Sequence, residues 1–186
     1  MEFFTFIEQV LLKPADSVIL ENPSYDRAIT AMNRTGAHVV GVPLEMDGVN
    51  IEELRAQIEK HHPKLFYTVP DFQNPTGVTT SLEKRQAIVQ LAKEYGFFII
   101  EDAPYKSLRY YGEDVTSYKE MIPEQVFYIN SFSKTMSPGI RVGFLIGPET
   151  IMPTLHKWSE DTYIHPSLVT EGIVYEYCTR GLLWPN

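Results

Sequence analysis

Short apolar runs recur along this chain, and segments with helical spacing or turn residues separate them. Several of these runs are rich in Val, Ile, Phe or Tyr, which favour strands. We predict strands at Ser17–Glu21, His38–Pro43, Lys64–Val69, Phe97–Glu101, Val126–Asn130 and Val142–Ile146. Helices are predicted near 26–34, 51–60 and 81–95, and a further one over Phe3–Leu12. This alternation predicts an α/β fold with a mainly parallel sheet and helices on both faces.

The predicted helix near 81–95 has the clearest boundaries. Ser81 is a suitable N-cap, the apolar residues that follow recur at helical spacing, and Gly96 ends the helix. Beyond Glu149 the chain is again predicted to be helical, with a break near His165-Pro166.

The last predicted strand differs from the others in its connection. Only about eleven residues separate Asn130 from Val142, and Pro138-Gly139 lies among them. A parallel crossover needs about a dozen or more residues, usually with a helix. We therefore predict that Val142–Ile146 is the one antiparallel strand of the sheet.

Composition narrows the class of protein. The 186 residues are 44% hydrophobic, which suits one domain with a sizeable core, and the net charge of −8 argues against nonspecific binding to nucleic acid or anionic membranes. The chain has one cysteine, Cys178, no signal-peptide pattern and no apolar run near the length of a membrane span. We therefore predict a cytoplasmic protein.

His61-His62 is interpreted as a helix-end pair rather than a metal site, since no cysteine lies near it.

Three polar residues each follow a predicted strand: Asn74, Asp102 and Lys134. In open α/β sheets, ligands bind outside the carboxyl ends of the strands. We therefore expect these side chains to converge on one edge of the sheet. Asp102 also ends a strongly apolar run, where a carboxylate needs a partner.

The segment around Lys134 combines a nucleophile with a phosphate site. Ser131 and Ser133 precede the lysine, and Arg141 follows seven residues after it. A lysine attacks a carbonyl when it is held near its target and is partly unprotonated. Two hydroxyls and a guanidinium are suited to bind a phosphate. Together they indicate a phosphorylated aldehyde held as a Schiff base, and pyridoxal 5'-phosphate (PLP) is the cofactor that fits.

Three motifs resemble those of the class I/II aminotransferases, which are fold-type-I PLP enzymes. They are S-x-S-K-x-x-x-P-G-x-R at 131–141, Asn74-Pro75-Thr76-Gly77 and Asp102-Ala103-Pro104-Tyr105, in the order and spacing of the family. The resemblance extends roughly from Ile7 to Leu183. It implies that Lys134 forms the Schiff base and moves protons at the substrate alpha carbon. It also implies that Asp102 keeps the pyridine nitrogen protonated.

The resemblance assigns roles to further residues. Tyr105 and Asn74 would contact the phenolic oxygen of the cofactor, and Tyr25 would stack on its ring. The peptide bonds at 22–23 and 74–75, both Asn-Pro, would be cis. Taken singly, each residue also has a structural interpretation, such as a turn residue for Asn74 or a core tyrosine for Tyr25.

Parts of the family pattern lie outside this sequence. We expect residues 1–186 to be a partial PLP-binding large domain, without the upstream segment and glycine-rich phosphate turn and without the C-terminal small domain. That small domain carries the arginine that grips the substrate carboxylate in the family, so the chain alone is expected to be inactive. The full-length protein is expected to be a homodimer that transfers an amino group between an amino acid and a 2-oxo acid.

Two other functions stay open at this point. Some transcription regulators carry an aminotransferase-like effector domain that follows a basic winged-helix DNA-binding domain. The present sequence includes no such DNA-binding domain, and its net charge is negative. A lyase or another fold-type-I PLP enzyme would use the same lysine, aspartate and asparagine, because the fold and cofactor do not fix the reaction. No motif predicts which amino acid or oxo acid is the substrate.

Overall fold

The computed structural model describes residues 2–183, which form a seven-stranded mixed sheet covered by helices. Residues 1 and 184–186 belong to the predicted domain range 1–186 and lie outside the described residues. All six predicted strands are present, with ends displaced by no more than two residues. The strands are β1 Ser17–Asn22, β2 His38–Glu45, β3 Gly48–Val49, β4 Leu65–Thr68, β5 Phe98–Asp102, β6 Val126–Ser131 and β7 Gly143–Ile146.

The strand order is β3-β2-β1-β4-β5-β6-β7. Strands β2, β1, β4, β5 and β6 are parallel, so their carboxyl ends lie at one edge of the sheet. Strand β7 pairs antiparallel with β6, with Ser131 opposite Gly143, as predicted. The two-residue β3 adds a short antiparallel pair with the end of β2. Strand β3 was not predicted, because two residues carry no periodicity.

The helices cover both faces of the sheet, and apart from one short helix their bounds agree with the predicted segments. They are α1 Glu2–Leu11, α2 Asp26–Arg34, α3 Ile51–His61, α4 Leu82–Tyr95, α5 Tyr118–Met121, α6 Met152–Tyr163 and α7 Leu168–Thr179. The predicted ends of α4 are confirmed: Ser81 Oγ accepts a hydrogen bond from the Lys84 N–H, and Gly96 adopts the left-handed conformation. His62 is the C-cap of α3, so the histidine pair does end a helix. The short helix α5 was not predicted.

Two hydrophobic cores lie on opposite faces of the sheet. Side chains alternate along each strand, so Leu20 and Tyr67 belong to one core while Ile19 and Phe66 belong to the other. Helices α1, α2 and α6 contribute to the first core, and α3, α4 and α5 contribute to the second. The predicted arrangement of helices on both faces is therefore confirmed.

The C-terminal part of the described chain is helical. The predicted break near His165-Pro166 separates α6 from α7. Helix α6 packs on α1, where the rings of Trp158 and Tyr163 lie 5.9 Å from that of Phe6. Among the described helices, none combines the length and the apolar character that crossing a membrane requires.

Candidate active site

The segments that follow β1, β4, β5 and β6 bring the predicted site residues to the carboxyl edge of the sheet. Tyr25 immediately precedes α2, Asn74 lies in the loop after β4, Asp102 is the last residue of β5, and Lys134 follows β6. These four strands are parallel neighbours, so their carboxyl ends are adjacent. The topology therefore places residues from four distant parts of the sequence at one edge.

Asp102 is a half-buried carboxylate with an unusual environment. The hydroxyl of Tyr67 donates a 2.9 Å hydrogen bond to its Oδ2. Burial raises the pKa of Asp102 to about 6, against the lowering effect of this hydrogen bond. Within residues 2–183, no lysine or arginine forms an ion pair with it. A desolvated carboxylate without a cationic partner is suited to bind a positively charged group.

Tyr105 links several of the predicted residues. Asn74 Nδ2 lies 3.4 Å from the hydroxyl oxygen of Tyr105, at the long end of the range for a hydrogen bond. The exposed Lys134 places its Nζ 5.8 Å from the centroid of the Tyr105 ring. Burial raises the pKa of Tyr25, and nearby acidic groups, Asp102 among them, raise it further. The structure thus brings five predicted residues together around one part of the sheet edge.

The three predicted phosphate ligands form a second group. Ser131 Oγ accepts a 3.1 Å hydrogen bond from the Ser133 N–H, and Arg141 Nη1 lies 3.4 Å from Ser133 Oγ. Arg141 is exposed and left-handed, with φ 52°, and it also donates to the Pro138 carbonyl at 3.3 Å. The turn at 138–140 therefore places the guanidinium of Arg141 close to Ser133, which in turn is hydrogen-bonded to Ser131. Two hydroxyls and a guanidinium make a donor set suited to a phosphate.

Both Asn-Pro bonds for which the resemblance implies a cis isomer are cis, at 22–23 and 74–75. They lie in the turns that follow β1 and β4. The buried Gln73 contacts both turns: its Nε2 donates to the Pro23 carbonyl at 2.9 Å, and its Oε1 accepts from the Thr76 N–H at 3.0 Å.

Three residues that contact the predicted site residues or their turns were not predicted: Tyr67, Glu21 and Gln73. Glu21 is 1% exposed and accepts hydrogen bonds from the Val69 N–H at 3.1 Å and from the Gln73 side chain at 3.2 Å. Burial raises the pKa of Glu21 to about 7, although these hydrogen bonds lower it. The sequence did contain a signal for Tyr67 and Glu21, because a tyrosine hydroxyl or a carboxylate inside an apolar strand needs a hydrogen-bond partner.

A buried ion network supports the loops that carry Asn74 and Tyr105. Asp71 Oδ1 lies 3.0 Å from Arg85 Nη2 and 2.9 Å from Arg109 Nη2. Both Asp71 and Arg85 are fully buried. Asp71 belongs to the loop of Asn74, and Arg109 follows Tyr105 by four residues. The shared carboxylate therefore ties the two loops together near their bases.

Comparison with known proteins gives consistent results. A family model described as aminotransferase class I and II matches residues 4–176. Aromatic-amino-acid aminotransferase 1 of Thermococcus litoralis is 33% identical over 183 residues, which is 95% of this chain and 44% of the relative. The crystal structure of LysN, an alpha-aminoadipate aminotransferase of Thermus thermophilus complexed with N-(5'-phosphopyridoxyl)-L-leucine, matches with a TM-score of 0.93 and 30% identity. That match covers 97% of this chain and 48% of the LysN chain.

One relative is of another kind. The uncharacterized HTH-type transcriptional regulator YisV of Bacillus subtilis is 31% identical over 172 residues, which is 92% of this chain and 36% of the regulator. This chain therefore spans about half the length, or less, of these relatives. The family model nevertheless covers most of the chain, and the fold agrees with it. The chain belongs to the class I and II aminotransferase family.

Proposed function

We propose that this chain is the central part of the cofactor domain of a PLP-dependent aminotransferase. The reaction is the transfer of an amino group between an amino acid and a 2-oxo acid. The observation that carries the proposal is the convergence of Lys134, Asp102, Asn74 and Tyr105 at the carboxyl edge of parallel strands. The LysN structure, which contains a phosphopyridoxyl group joined to leucine, supports PLP as the cofactor.

The side chains of the site fit PLP at both ends of its ring. Asp102 is desolvated and has no lysine or arginine partner in the described part of the chain, so it would bind the protonated ring nitrogen. Ser131, Ser133 and Arg141 would bind the phosphate with two hydroxyls and a guanidinium. Lys134 is exposed and would bind the aldehyde carbon covalently through Nζ.

When bound, PLP supplies an electron sink for the charge that develops on the substrate alpha carbon. Asp102 would hold a proton on the ring nitrogen and so keep the sink effective. Lys134 Nζ would take the alpha proton and return it, and it lies 5.8 Å from the centroid of the Tyr105 ring. Asn74 and Tyr105 would orient the phenolic oxygen, and Tyr25 would cover one face of the ring.

The assembly and the compartment of the protein are also part of the proposal. The single cysteine, Cys178, fits a reducing compartment, and we propose a cytoplasmic protein. We also propose that the full-length protein is a homodimer, by analogy with the family. Sedimentation of the full-length protein tests the assembly. A monomer with full activity would contradict the homodimer.

The second candidate is the effector domain of a transcription regulator, and the match to the Bacillus subtilis regulator favours it. The complete open reading frame distinguishes the two functions, because a regulator would carry a basic helix-turn-helix segment upstream of this domain. A lyase on the same scaffold is a third candidate. Product analysis with a 2-oxo-acid acceptor separates transamination from elimination.

Covalent trapping tests the cofactor assignment. The full-length protein is incubated with PLP and reduced with borohydride, and we expect the pyridoxyl mass on the peptide that contains Lys134. Lys134→Ala should lose this label, whereas Lys60→Ala, which removes an exposed lysine on α3, should keep it. Labelling spread over other lysines, or none, would contradict the proposed function.

A further inference from the structure

We propose that Gln73 is a positioning residue that fixes the relative placement of the two Asn-Pro turns at the site. The turn after β1 leads to Tyr25, and the turn after β4 carries Asn74. The inference rests on the proposed function, because these are the side chains that would stack on the cofactor and contact its phenolic oxygen. Gln73 itself would not touch the cofactor.

The side-chain amide of Gln73 uses all of its hydrogen-bonding capacity. Nε2 donates to Glu21 Oε2 at 3.2 Å and to the Pro23 carbonyl at 2.9 Å. Oε1 accepts from the Thr76 N–H at 3.0 Å and from the Thr76 hydroxyl at 2.7 Å. Two donors and two acceptor lone pairs are the full inventory of an amide. The Thr76 N–H can only donate, so the atom that faces it must be Oε1, and this fixes Nε2 toward Glu21 and Pro23.

Glu21 anchors this amide to the sheet. Its carboxylate lies at the end of β1 and accepts hydrogen bonds from the Thr68 hydroxyl and, at 3.1 Å, from the Val69 N–H. Glu21 and Gln73 are 1% and 2% exposed, so water does not compete for these bonds. The end of β1, the end of β4 and the turn after β4 therefore share one buried network.

The placement of the network gives it a role at the site. Gln73 precedes Asn74 directly, so a rotation of the Gln73 backbone moves Asn74 away from the Tyr105 hydroxyl. The bond to the Pro23 carbonyl lies two residues before Tyr25. A single side chain thus couples the residue that stacks on the ring to the residue that contacts its oxygen.

A matched pair of substitutions separates positioning from general stability. Gln73→Met keeps the size of the side chain and removes its four hydrogen bonds. Gln125→Met is the control, because Gln125 Nε2 also donates two hydrogen bonds, in its case both to backbone carbonyls, at 3.0 and 3.1 Å, near the amino ends of β5 and β6. Thr76→Val is a milder, exposed variant that removes one acceptor contact of Gln73 and the 3.3 Å hydrogen bond from the Val78 N–H.

The first measurement needs no cofactor. Hydrogen–deuterium exchange of the cofactor-free chain should accelerate about tenfold in peptides covering both 20–30 and 70–80 in Gln73→Met. Thr76→Val should loosen only 70–80, and Gln125→Met should loosen neither. If Gln73→Met does not fold, Thr76→Val decides, and unchanged exchange in 70–80 overturns the inference. Equal exchange in Gln73→Met and Gln125→Met at both turns also overturns it.

The second measurement follows the bound cofactor. Loss of correctly placed donors at the phenolic oxygen should raise the pH midpoint of the visible absorption change of PLP on Lys134 by about half a unit to one unit. The control Gln125→Met should keep the midpoint of the parent chain. If the full-length parent traps no PLP on Lys134, the proposed function is wrong, and the exchange measurement alone then tests the placement of the two turns. If the parent traps PLP and Gln73→Met keeps the parent midpoint, only this inference is wrong.

Discussion

Replacing Asp102 with asparagine is expected to stabilise the cofactor-free chain at neutral and alkaline pH. Burial raises the pKa of Asp102 from 3.8 to about 6. Between these values the folded chain binds a proton at Asp102 that the unfolded chain has released, so stability falls as the pH rises. This loss of stability is complete once the pH exceeds the pKa of Asp102 in the folded chain. A shift of about 2 pKa units corresponds to ~3 kcal/mol, and since the carboxyl group is partly exposed we expect about 1–3 kcal/mol.

Asparagine suits this position because it has the shape of aspartate and is neutral at every pH. Its amide oxygen can still accept the hydrogen bond from Tyr67. Urea unfolding of the cofactor-free chain, followed by circular dichroism from acidic to alkaline pH, measures the difference in the free energy of unfolding. Asp16→Asn is a control of opposite sign, because the hydrogen bond from Lys64 lowers the pKa of Asp16. That variant should be less stable than the parent at alkaline pH.

Two results would refute this reasoning about Asp102. One is an Asp102→Asn chain that is less stable than the parent at alkaline pH, and the other is a gain that does not change with pH. In the full-length protein the same substitution should lower kcat by about 10²-fold or more, because a neutral amide cannot hold the ring nitrogen protonated. Near-normal turnover would mean that Asp102 has a structural role only.

Three further substitutions test the framework of the site by urea unfolding. Arg85→Met removes one of the two arginine partners of the buried Asp71, together with hydrogen bonds to the Thr80 and Pro70 carbonyls, and should cost about 3–5 kcal/mol; a cost under about 1 kcal/mol would contradict the network. Ser81→Ala removes the N-cap of α4 and should cost about 1 kcal/mol, whereas Ser81→Asn should cost little. Gly48→Ala should cost about 1–3 kcal/mol, because φ is +125° at this position and the new Cβ would lie 2.8 Å from Thr80 Cγ2. An unchanged free energy of unfolding would refute this expectation of backbone strain and steric clash.

Much of the fold could be predicted because it depends on local patterns. The short connection between Asn130 and Val142 left no room for a parallel crossover, and β7 is antiparallel for that reason. The ends of α4 followed from the capping chemistry of Ser81 and Gly96. The pair of β2 with β3 could not be predicted in this way, since a two-residue strand is defined by its partner and not by its own pattern.

The residues of the candidate site also differ in how far they could be predicted from the sequence. Asn74, Asp102 and Lys134 follow strands, and the common direction of those strands is enough to bring them to one edge. The contacts of Gln73 and Glu21 depend on how two loops fold back against each other, and no periodicity in the sequence encodes that path. The side chains that hold a site in place are therefore harder to predict than those that form it.

Strand alternation explains how β5 ends in two carboxylates with different environments. Glu101 is fully buried toward α5, where it accepts a 2.9 Å hydrogen bond from the Lys119 N–H, while Asp102 points to the opposite face and meets Tyr67. Burial raises the pKa of both, to about 7 for Glu101 and about 6 for Asp102. A slip of one residue in β5 would exchange the two faces and leave Glu101 at the site. Pairing with β4 on one side and β6 on the other fixes the register of β5, so the position of Asp102 depends on both neighbouring strands.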